Sequence, residues 1–202
     1  GADVQKDGIY CELVGWGPNW ESWQLDARFI PGATDIAAEG AWADLHLHSQ
    51  KGVRFPGGKL MPIDQECIDA GYHTEAARAY CDGAPRRLPV FGRAGWDLPI
   101  LGRGEAIRYD QRGKRSGKAG VHEDDRAYLV GTFSAKLSWY GFLRESVKWH
   151  EAQADNGTGD DADGMARPKG LVHVGRDVPE DWFSQVSAEA ITTKKKGMAT
   201  RR

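Results

Sequence analysis

Cysteine is scarce in this chain: Cys11, Cys67 and Cys81 are the three present. An odd number without a CxxC pair argues against a disulfide framework and against a cysteine-based structural zinc. It fits a reducing cytosol. Long apolar runs are missing too, and none approaches the ~20 residues that a membrane-crossing helix requires. Charged residues begin at Asp3, so no signal-peptide pattern opens the sequence. Neither sign of charge is in excess: 27 Lys and Arg face 29 Asp and Glu, for a net charge of −2. A nucleic-acid-binding role must therefore come from local clustering, not from overall basicity. No Walker A pattern occurs, which excludes a P-loop ATPase within these residues.

What is present is ordinary for a soluble globular protein. Of 202 residues, 40% are hydrophobic and 28% charged. That length suits a single domain with insertions. The eight tryptophans belong mostly to core or interface. The abrupt "GADVQ" and "KKKGMATRR" ends suggest an excised domain.

The first third predicts a meander. "ADVQ", Ile9–Trp16 and Glu21–Ile30 read as strands, separated by an Asp-Gly turn at Lys6–Gly8 and a turn at Gly17–Asn19. A helix is predicted over Thr34–Ser49, with Ile36, Trp42, Leu45 and Leu47 on its buried face. Ile63–Asp69 reads as a fourth strand, Thr74–Asp82 as a helix and Arg86–Arg93 as a fifth strand. Strand, helix, strand at these lengths is a βαβ unit with parallel strands. A strand at Ala127–Gly131 leads into a helix over Thr132–Glu145, with Phe133, Leu137, Tyr140 and Leu143 or Arg144 as core positions. Leu171–Gly175 reads as a strand and Pro179–Glu189 as a helix, and "AITTKKK" as an edge strand. The fold class is α/β: a mixed sheet of five or more strands, whose first three form an antiparallel meander, whose first, fourth and fifth are parallel, and on which helices pack.

Two segments stand apart. A basic hairpin or loop at about 95–126 carries Arg103, Arg108, Arg112, Lys114, Arg115 and Lys118. An acidic, glycine-rich insertion at about 151–170 reads as a mobile, solvated loop. It lacks the closing glutamate of a calcium loop. His46 and His48, two residues apart, fall on different helix faces and make a poor metal pair.

The chemistry centres on Asp3 and Asp69. Ligands of open α/β sheets bind at the carboxyl ends of strands, where Asp69 lies. An aspartate also ends strands for a plainer reason, by bonding the backbone of the next turn. The first strand of a meander is free to pair with the fourth on its other side, which would bring Asp3 beside Asp69. Two carboxylates at short range repel strongly in low dielectric. A shared proton or a divalent cation offsets that repulsion, and hard oxygen ligands favour Mg²⁺ or Mn²⁺. Beside a basic loop, such a pair suits phosphodiester hydrolysis with two metal ions.

Four blocks occur in order: "GADVQKDGIYCELVGWGPNWESWQLDARFIPG", "CIDAGYHTEAARAYC", "VGTFSAKLSWYGFLR" and "LVHVGRDVPEDWFSQVSAE". Together they resemble the nuclease domain of the lambda-type (GpA family) terminase large subunit of tailed bacteriophages, over nearly the whole chain. The resemblance implies an RNase H-like fold and a two-metal endonuclease that cuts concatemeric phage DNA during packaging, in the cytoplasm of the infected bacterial host. It implies double-stranded DNA, the terminase small subunit and the portal protein as partners, with no membrane. The first catalytic aspartate of the family falls on Asp3 and its second acidic position on Asp69. His73 matches a position next to the site, though a helix-start residue is an equal reading. Arg93 stands where the family has a lysine. Lys136 matches a family lysine, and a plain helix-surface role is its other reading. The closing acidic helix of the family, which brings a third carboxylate, has no counterpart before Arg202, nor has the ATPase motor. Two other readings stay open: a DNA- or portal-docking module that has lost turnover, and a different RNase H-like nuclease acting on junctions or RNA–DNA hybrids.

Overall fold

A computed structural model describes residues 1–55, 57–103, 128–155, 167–176, 178–187, 191–193 and 199–201. The meander forms as β1 (Ala2–Val4), β2 (Gly8–Trp16) and β3 (Ser22–Pro31), each antiparallel to the next. A helix, α1 (Ala41–Gln50), and a small hairpin of β4 (Val53–Arg54) and β5 (Leu60–Met61) follow. The chain then runs through β6 (Glu66–Asp69), α2 (Thr74–Cys81) and β7 (Arg87–Arg93). β8 (Leu101–Arg103), β9 (Tyr128–Gly131), α3 (Thr132–Asp155), β10 (Val172–Val174) and α4 (Glu180–Ser187) complete the body. A separate pair, β11 (Ile191–Thr193) and β12 (Ala199–Arg201), comes last.

The main sheet has eight strands in the order β10-β3-β2-β1-β6-β7-β9-β8. β1, β6, β7 and β9 are parallel; β8 is antiparallel to β9, and β10 runs parallel to β3. Helices cover both faces. On one, Trp42 and Leu45 of α1 and Ala77 and Tyr80 of α2 close over Val4, Ile9 and Ile68. On the other, Trp182 of α4 and Trp139 of α3 pack with Ala27. Alternation along each strand explains the division, because neighbouring side chains point to opposite faces. Val4 enters the first core while Asp3 faces the second side.

Several expectations shift. The helix predicted from Thr34 begins only at Ala41. Gly40 has φ +52, and a Cβ there would stand 2.6 Å from the Ala33 carbonyl oxygen, so the chain turns sharply before the helix starts. Ile36 and Leu47 accordingly lie exposed, while Trp42 and Leu45 are buried. The helix predicted to end at Glu145 continues to Asp155, because it buries Ser146 and Trp149 one turn further on. Its first five residues of overlap with the acidic insertion, 151–155, are therefore helical, and 156–166 lie outside the described residues. Leu137, placed in the core by its spacing, is exposed. The β4–β5 hairpin and β8 are too short to be read from pattern.

Candidate active site

Asp3 lies in the middle of β1 and Asp69 at the end of β6. The strands are parallel neighbours, with Ala2 registered on Ile68. Asp3 and Asp69 are the next residue on each. Ala2 and Ile68 both belong to the core beneath α1 and α2. The two carboxylates therefore project together from the opposite face, on strands about 4.8 Å apart.

The electrostatics carry the same signature. The Asp3 pKa is raised above the usual carboxylate range, first by burial and also by the Asp69 charge. Loss of water disfavours the ionised form, and a like charge adds to that. Gln5 works the other way: its Nε2 donates to Asp3 Oδ2 at 2.8 Å and favours the carboxylate. Gln5 is itself fixed from the core outward. The buried Thr34 hydroxyl donates to the Gln5 carbonyl at 2.7 Å, and the fully buried Trp42 donates through Nε1 to the Thr34 carbonyl at 3.0 Å.

Asp69 makes the turn bond that its strand-end position suggests. The Gly71 N–H donates to Asp69 Oδ1 at 2.8 Å. A Cβ at Gly71 would stand 3.1 Å from that oxygen and crowd the turn. The bond uses one of about four lone-pair sites on the carboxylate, so turn-making and cation binding do not exclude each other.

Beside Asp3 a cleft of about 870 Å³ opens between the sheet and α3 and α4. Lys136, Lys169, Trp16, Trp20 and Trp139 are among its walls. Glu12, also in the wall, accepts a bond of 2.9 Å from Trp182 Nε1 and so anchors α4 to the sheet.

The sequence model described as "terminase large subunit gpA, endonuclease domain" matches residues 1–202, the full length of the chain. The chain belongs to this family. No curated protein and no solved structure gives a match.

In this gpA endonuclease domain the other predicted positions are spread more widely. His73 caps α2 with φ 32 and ψ 52, and its ring meets Tyr72 edge-on at 4.3 Å. Arg93 ends β7, where its carbonyl accepts from the Thr132 hydroxyl at 3.2 Å. Lys136 shares the cleft with Asp3. Arg103 ends β8, with only its backbone described, and Arg108, Arg112, Lys114, Arg115 and Lys118 lie outside the described residues. His46 and His48 have separate neighbours: His46 meets Gln50 and Arg87, and His48 meets Asp26 at 3.4 Å.

Among the described residues no three His, Cys, Asp or Glu side chains gather to hold a metal. The gathered pair still fits Mg²⁺, which is commonly held by one or two carboxylates with waters and substrate phosphates completing its shell. Gln5, Thr34 and Lys169 escaped the sequence reading. The signal for Gln5 was its position two residues beyond Asp3 in "DVQ", which puts both side chains on one face.

Proposed function

We propose that this chain is a metal-dependent endodeoxyribonuclease, an RNase H-like domain that hydrolyses concatemeric viral double-stranded DNA with two Mg²⁺ or Mn²⁺ ions. The pairing of Asp3 with Asp69 on adjacent parallel strands carries the proposal. Asp3 and Asp69 bind the ions. Gln5 donates to Asp3 and favours its ionised, ligating form against the effect of burial. His73, Arg93, Lys136 and the cations between Arg103 and Lys118 position phosphates. When bound, the ions activate water and stabilise the departing oxygen. Water adds to phosphorus, one P–O ester bond breaks, and the departing oxygen is protonated from solvent. Binding of duplex rests on phosphates and is strongly salt-dependent. In the packaging motor the small subunit and the portal are the protein partners, inside the infected host.

Relaxation of supercoiled plasmid with Mn²⁺ tests this. Asp3→Ala and Asp69→Ala each lower the rate by about 100-fold or more, the loss typical of removing a transition-state stabiliser. Cleavage by Asp3→Ala at the wild-type rate removes the assignment. The presence of only two gathered carboxylates among the described residues favours one other reading, a DNA- or portal-docking module without turnover. That reading gains if the wild-type domain binds DNA and never cuts it, even in excess Mn²⁺.

A further inference from the structure

We propose that the cleft beside Asp3 is a platform for single-stranded DNA, on which unpaired bases stack on Trp16 and Trp20 while Lys136 and Lys169 face the phosphates. The nuclease reading above supplies only the kind of nucleic acid; the platform itself rests on separate observations.

The first is exposure. Trp16 and Trp20 are 61% and 60% exposed and meet edge-to-face at 6.5 Å. Tryptophan supplies large contact area and is usually mostly buried. Here two rings stand open in the wall of one cleft.

The second is backbone strain. Asn19 and Trp20 have φ of 57° and 65°, in the left-handed region. That region is unusual for a bulky residue, and such strain concentrates at functional positions. The turn is held in place from below: the Gly170 N–H donates to the Asn19 carbonyl at 2.8 Å. The same bond fixes the segment carrying Lys169, so the cation and the rings are positioned together.

The third is shape. A volume of about 870 Å³ is at the upper end of ordinary ligand pockets, which span about 300–1,000 Å³. Asp3 pairs with Tyr10, and Trp16 lies further along the same strand. At ~3.3 Å per residue the rings stand roughly 20 Å from the carboxylate, room for several nucleotides. A base reaches a tryptophan face only after leaving the duplex stack. Aromatic faces beside cations are the means by which proteins hold single strands without reading sequence. The occupant is thus an unpaired stretch of the DNA leading to, or freed from, the acidic pair.

Fluorescence anisotropy tests this, with a labelled oligo(dT) of about 15 nucleotides, near the upper end of single-strand site sizes. EDTA is present throughout, so cleavage plays no part. The Trp16→Ala/Trp20→Ala variant binds the oligonucleotide at least about 30-fold more weakly, as expected for the loss of stacking on two rings. It binds blunt duplex within about twofold of wild type, because phosphate contacts carry that binding. Trp16→Phe/Trp20→Phe restores most of the affinity. Lys169→Gln makes the salt dependence shallower by about one unit of slope. Oligo(dT) also quenches the tryptophan emission of the wild-type protein, a readout that needs no variant. Unchanged emission at saturating oligonucleotide overturns the proposal, as does an alanine variant that binds oligo(dT) normally or loses duplex equally. A protein that passes these tests and never cuts plasmid sinks the nuclease reading alone.

Discussion

Replacing Asp69 with asparagine should stabilise the metal-free domain while disabling it. Two unit charges on strands about 4.8 Å apart repel by about 3.5 kcal/mol at an effective dielectric near 20. Asp3 reaches solvent at its outer edge, and screening there reduces the repulsion to about 1–2 kcal/mol. Asparagine keeps an oxygen to accept the Gly71 N–H, so the turn survives and only the charge is lost. In a domain of this size about 1 kcal/mol moves Tm by 2–4 °C. Asp69→Asn should therefore melt about 2–8 °C above wild type at pH 7 in EDTA. The pH dependence follows from the raised Asp3 pKa. Folded Asp3 holds its proton more firmly than unfolded Asp3, so this group favours folding in acid. That contribution is lost as pH rises through the raised value. The advantage of Asp69→Asn is then largest near neutrality and closes in acid, where Asp3 is protonated. Adding Mn²⁺ at ten times its Kd stabilises wild type by about 1.4 kcal/mol and leaves the variant nearly unmoved. Differential scanning fluorimetry across pH, with EDTA or Mn²⁺, reads all of this. A variant that melts at or below wild type in EDTA at pH 7 refutes the close approach of the two charges.

Two further outcomes can be checked on the same preparation. Gln5→Leu removes the bond that favours ionised Asp3; Mn²⁺-dependent cleavage falls by about 10- to 100-fold, as for other residues that orient a metal ligand, and the Asp3 titration followed by NMR moves further upward. Thiol labelling of the native protein modifies Cys67 alone, because Cys67 is exposed while Cys11 and Cys81 are buried, and burial pushes the Cys81 thiol up to about 12; rapid labelling of all three before unfolding would contradict the packing of α2 on β6 and β7.

The acidic pair was legible because alternation along a strand is a short-range rule. "ADVQ" and "CID" each place one carboxylate opposite an apolar neighbour, and a meander leaves its first strand open to the fourth. What fixes Asp3 was not legible. Gln5 draws its rigidity from Thr34 and Trp42, which are distant in sequence and join it through backbone carbonyls that carry no residue signature. The start of α1 was misplaced for a related reason: Ile36 looks apolar enough for a helix face, and the backbone reversal at Gly40 decides otherwise. The cleft was invisible too. Trp16 ends β2, Trp20 lies in the turn that follows it and Trp139 comes from α3, far along the chain, and a tryptophan count does not say which rings stay open to solvent.

The strand β10 has a consequence for how the protein is made. It lies outside β3, and a side-chain contact at this border, His173 with Glu21, joins groups 152 positions apart. A ribosome adding roughly 5–20 residues each second exposes the naked flank of the early hairpins for many seconds before its cover emerges. During that interval unpaired amides and carbonyls invite association with neighbouring nascent chains. Yield in the cell should consequently depend on how quickly translation proceeds from the first hairpin to β10.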